Sequence, residues 1–173
     1  MPISLPVQRA IVLDPWVEPL PSPGVSSAEV EESVQKHSRT LPRLLVLNSE
    51  GYTVWTEHFQ KLRDILDVWN SQAHDKNEAA PADRRARLFT LVRARHQSFS
   101  DFLMLFAFGK RAQEERRYLD ITCDLSLAFI QGSLEQELER HPKASGEMVV
   151  LSKPDGSEEI KLIGDAGQIV VHD

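Results

Sequence analysis

Asp120 and Asp124, four residues apart, are the acidic pair of this chain best placed for general acid–base work. Two carboxylates on one helix face beside large apolar neighbours can be pushed to different proton affinities, which makes an acid and a base from one residue type. The competing reading is a solvated helix face whose acids meet arginines of the preceding segment. Asp64/Asp67, Glu114/Glu115 and Glu135/Glu137/Glu139 have the spacing of exposed helix faces only. The six histidines are His37, His58, His74, His96, His141 and His172. No two of them stand in the His-x-x-x-His spacing that directs a pair of imidazoles at one ion, so they read as surface or capping residues. The expectation is no metal and no cofactor.

Cys123 is the single cysteine. It rules out an internal disulfide and a thiolate cage, and it points to a reducing, cytoplasmic setting. Its place on an apolar helical stripe gives it no helix N-terminus or adjacent cation to generate a thiolate, so it reads as core. Gly164-Asp165-Ala166-Gly167 lacks the strand–loop–helix context of a phosphate cradle. No Gly-x-Ser-x-Gly elbow occurs. No cluster of residues specifies a reaction, and the expectation is a non-enzymatic protein.

Charge and apolar anchors suggest contacts instead. Asp83 to Arg117 holds nine basic residues against four acidic ones, whereas Tyr118 to Asp173 holds four against eleven. The simple consequence is attraction between the two segments, and the sharper one is an acidic partner. Arg84, Arg85 and Arg87 head the basic run, and guanidinium forks suit carboxylate or phosphate. Aromatic residues do not interleave with these cations, which makes nucleic acid the weaker reading. The net charge of −6 argues against coating a polyanion.

Six of the ten prolines fall in residues 1–25, where they enforce extended backbone. Leu13, Trp16, Val17 and Leu20 make that arm too apolar for a solvated linker, so they are the expected anchors on a partner or on a second copy. The opening residues lack the basic and apolar regions of a signal peptide. No apolar window of about 18 residues exists, so no membrane span is expected.

The elements that must carry these groups read as α+β, mainly α. Residues 1–25 form the arm, 26–142 a helical domain, and 143–173 a small antiparallel meander packed on it. Ser26 and Glu29 make a capping box for a helix that Pro42 ends. Leu44–Leu47 reads as a short strand, followed by a helix from about 53 to 72 with Trp55, Phe59, Leu62, Leu66 and Trp69 on one face. A further helix from Ala82 or Asp83 is expected to bury Leu88, Val92, Phe99, Leu103 and Phe106. The next stripe is Leu119, Cys123, Leu127, Ile130, Leu134 and Leu138. Lys153-Pro154-Asp155-Gly156-Ser157 turns a hairpin, and residues 168–171 supply a third strand. The expected fold is therefore a bundle of three to four helices. The expected function is a subunit or adaptor that docks a protein or itself. The alternatives are a nucleic-acid-binding regulator on segment 84–117 and an enzyme centred on Asp120 and Asp124.

Overall fold

Three runs rich in branched apolar residues lie side by side and parallel: β1 (Arg9–Leu13), β2 (Arg43–Ser49) and β3 (Ala86–Leu91). β6 (Ile169–His172) adds antiparallel to β3, giving a four-stranded mixed sheet in the order β1-β2-β3-β6. The computed structural model describes residues 7–15, 42–73, 84–101 and 107–172. The capping box at Ser26, the anchors Trp16, Val17 and Leu20, and Leu103 and Phe106 of the expected helix lie outside the described residues.

Both faces of the sheet are covered. Along β2, Leu45 and Leu47 point one way and Val46 the other, as strand alternation requires. On the first face Leu45, Leu47, Phe89 and Leu91 pack against Tyr118, Ile121, Leu125 and Phe129 of α3 (Lys110–Gln131), and against Leu134 and Leu138 of α4 (Leu134–Leu138). On the opposite face Val46, Ala86 and Leu88 pack against Phe59, Leu62 and Leu66 of α2 (Thr56–Ala73). One short turn of helix, α1 (Glu50–Thr53), joins β2 to α2.

This arrangement overturns the helical bundle. The chain is α+β around a central mixed sheet, and the expected helix over residues 82–106 contains β3, fully buried along its whole length. A strand covered on both faces needs apolar residues at successive positions, so it loses the period-2 signature that marks a half-exposed strand. Leu88 and Val92 then mimic a helical repeat by accident. The third strand of the expected meander is likewise β6, placed in the central sheet. Only β4 (Met148–Ser152) and β5 (Glu158–Leu162) form the hairpin. Within the arm, Arg9–Leu13 is a sheet strand.

Two helices match their expected positions, but α3 turns a different face inward. Ile121, Leu125 and Phe129 are buried, whereas Cys123, Leu127 and Ile130 are exposed. Cys123 is therefore not core. The helix carries apolar residues on two sides, and the sheet takes the side that also bears Tyr118. Trp55, expected on the buried stripe of α2, is exposed and precedes the helix. Among the described residues no helix is long and apolar enough to cross a membrane.

Candidate functional site

Parallel strands bring their carboxyl ends to one edge of the sheet, where the departing loops open a crevice. Here the residues leaving the three strands are Asp14 after β1, Ser49 and Glu50 at the end of β2, and Arg93 to His96 after β3. Together with the start of α3 and the hairpin they bound a cleft of about 1420 Å³. Tyr52, Trp55, Arg93, Lys110, Glu115 and Ile160 are among its walls.

Asp14 is the centre of this edge. Its side chain is 1% exposed, and its backbone has a left-handed φ of 41°. That region is costly for a residue with a Cβ and persists only where surrounding bonds enforce it. The bonds are present. The Asp14 amide donates to Leu47 O at 3.1 Å. Its Oδ1 accepts from the Ser49 amide at 2.6 Å, and Oδ2 accepts from Ser49 Oγ at 2.6 Å. Ser49 Oγ in turn caps α1 by accepting from the Tyr52 amide at 3.3 Å.

The remaining partner of Asp14 is His96, whose Nδ1 lies 3.2 Å from Oδ2. The His96 side chain is 74% exposed at the cleft. Its loop is held by reciprocal bonds: the Arg95 amide donates to Ser98 Oγ at 3.0 Å, and the Ser98 amide donates to Arg95 O at 2.8 Å. A buried carboxylate thus holds one ring nitrogen of an open imidazole. With a carboxylate accepting from Nδ1–H, Nε2 of the neutral ring is left unprotonated and able to take a proton. Among the described residues no serine, threonine or cysteine hydrogen-bonds to His96.

Glu50 closes the second side of the edge. It is buried, and its Oε2 accepts from the Arg93 amide at 2.5 Å while Oε1 accepts from the Leu162 amide at 3.1 Å. Arg93 is the second non-glycine residue with a left-handed backbone among the described residues, φ 66°, and its Nη1 lies 3.6 Å from Glu50 Oε1. One carboxylate therefore pins the turn that launches the His96 loop and the base of the hairpin wall. Glu115 is buried at the cleft, and its Oε2 has no hydrogen-bond partner among the described residues.

Those residues singled out from sequence that the structure describes lie elsewhere. Leu13 sits at the end of β1, exposed. Arg84 and Arg85 are half-buried ahead of β3. Arg87 is buried, pairs with Glu135 of the acidic C-terminal segment, and lies 5.3 Å over the Phe89 ring. Asp120 and Asp124 are exposed on α3. None of them lines the cleft. Asp14 and His96, both at it, were missed because 82 residues separate them. A signal was present nonetheless: three apolar runs of strand length, the first followed at once by an acid and the last by Arg93, Arg95 and His96.

Comparison with protein-family models, curated proteins and solved structures finds no match.

Both tyrosines of the chain, Tyr52 and Tyr118, belong to this cleft. Burial first, and then the Asp14 charge, pushes the Tyr52 phenol from 10.0 up to about 12. Burial, followed by Glu114, Glu115 and Glu50, pushes Tyr118 up to about 12 as well. A raised phenol favours the protonated folded state. The two groups therefore contribute their full share of stability below pH 10 and lose it as pH climbs from 10 to about 12. Tyrosinate absorbance of the folded protein should rise with a midpoint near pH 12, against about 10 for the urea-unfolded chain. A folded-state midpoint near 10 would contradict the burial described for both rings.

Proposed function

We propose that this chain carries the acid and base of a hydrolase that works through a nucleophile, with Asp14 orienting His96 as the general base. The observation behind this reading is the Asp14–His96 contact: a sealed carboxylate, a left-handed backbone at a strand end, and an imidazole open to a cleft. Strain of this kind concentrates at functional sites because the surroundings must over-determine it. The placement also suits the chemistry, since catalytic groups of parallel sheets gather where the strands end.

The steps follow from the roles. His96 Nε2 takes the proton of a serine-type hydroxyl as that oxygen attacks an acyl carbonyl, and the imidazolium is stabilised by Asp14. The same nitrogen then returns the proton to the leaving group. Water repeats the cycle on the acyl intermediate and restores the free hydroxyl. Outside the described residues the sequence offers Ser4, Ser22, Ser26, Ser27, Ser33 and Ser38 as candidate nucleophiles. Of these only Ser4 precedes Asp14, as the order Ser…Asp…His requires, and the others stand between Asp14 and His96.

A fluorophosphonate probe, which captures a serine activated by such a base, tests the reading on the intact protein. Labelling should occur at one serine and should slow on the order of 10³–10⁴-fold in His96→Ala with the circular dichroism spectrum kept. Absent labelling, or equal labelling of the variant, would remove the proposal.

A second reading is favoured by the hairpin: docking of a protein partner, here a second copy of the chain. Met148, Val149, Val150 and Leu151 are all exposed on β4, which pairs on one side only, with β5, among the described residues. A two-stranded ribbon is marginal by itself, and an apolar edge invites a further strand. Light scattering should show a dimer that Val150→Lys converts to monomer. A monomer in both forms at all concentrations would exclude it.

A further inference from the structure

Away from the cleft, the end of α3, the Gly132 turn and α4 fold back on one another. Gly132 has a left-handed φ of 82°, and the Ser133 amide donates to Ala128 O at 2.9 Å. This reversal sets Glu137 of α4 and His141 just beyond it against Asp124 of α3. The ligand-type atoms of Asp124, Glu137 and His141 all lie within 4.8 Å of one another. Glu137 and His141 stand four apart, and the turn that follows α4 brings their side chains together.

The geometry between His141 and Glu137 is that of two groups sharing a third. His141 Nε2 lies 3.2 Å from Glu137 Oε1. It is sealed from solvent, and among the described residues it faces that carboxylate without making a hydrogen bond. A buried imidazole nitrogen that faces a carboxylate without a hydrogen bond is costly. Two donors each about 2.1 Å from a first-row cation, at angles of about 90–110°, sit roughly 3.0–3.5 Å apart. The 3.2 Å separation fits an edge of a coordination shell. Asp124 is exposed, so its side leaves an entry path and room for water. Arg140 pairs with Glu137 Oε2 at 3.1 Å, which orients that carboxylate with Oε1 toward His141.

We infer that Asp124, Glu137 and His141 form a binding site for a first-row divalent cation of the zinc type, completed by water. One imidazole and two carboxylates select such an ion over magnesium or calcium, which take oxygen alone. None of the three residues lines the cleft, so the ion is structural. It clips α4 and its following turn to α3. The adjoining Pro142 O accepts from the Ile169 amide at 2.9 Å, which carries the clip to β6.

The test is Zn²⁺ titration of the metal-free intact protein against a chromophoric chelator. Wild type should take up one equivalent, and His141→Ala and Asp124→Asn should each weaken it at least about tenfold, as loss of a ligand does. Asp124→Asn changes an exposed residue and so keeps the fold, while Cys123→Ser, beside Asp124, should bind as wild type does. The inference is overturned by no saturable uptake, by unchanged affinity in both ligand variants, or by loss in Cys123→Ser alone.

Discussion

The carboxylate of Asp14 is the constraint on which the cleft depends. Removing an ionised carboxylate from water costs several kcal/mol, and that cost is offset only by dense pairing. Ser49 supplies two of the hydrogen bonds and His96 the third contact. Ser49 ends β2 and His96 stands in the loop that follows β3, so one side chain ties the end of β1 to those of its neighbours. Replacing it with an apolar residue would strand the Ser49 amide and hydroxyl, and it would release the imidazole.

The rest of the fold can be understood as the support this contact requires. Parallel strands place three loop origins on one edge, and the helices on both faces make the strands rigid by burying them. Glu50 performs for Arg93 and Leu162 what Asp14 performs for Ser49 and His96. Two buried carboxylates, one residue away from each other in their contacts through Ser49 and Glu50, therefore hold two left-handed turns in place. Such turns are unfavourable alone, and their cost is met by the packing of the whole sheet.

Much of the secondary structure was legible in the sequence, and the site was not. β2, α2, α3 and the β4–β5 hairpin carry local signals: a branched run, a three-and-four spacing, and Asp155-Gly156 in a turn. β3 does not, because burial on both faces erases the alternation that identifies a strand. For α3 the spacing was right but the face was wrong, since Leu127 and Ile130 compete with Leu125 and Phe129 for the same sheet and only packing decides between them. Asp14 read as part of a partner-seeking arm because its companions lie in segments far along the chain. Glu137 and His141 carried a local spacing signal that a search for paired histidines passes over.

The most direct measurement of the central claim is the tautomer of His96, read by ¹H–¹⁵N correlation of its ring in the wild type and in Asp14→Asn. Asp14 accepting from the ring predicts that Nδ1 carries the proton in the neutral wild-type imidazole, and that the amide variant shifts it to Nε2. The same tautomer mixture in both proteins, as in a free imidazole, would show that Asp14 does not orient His96 and would contradict the account.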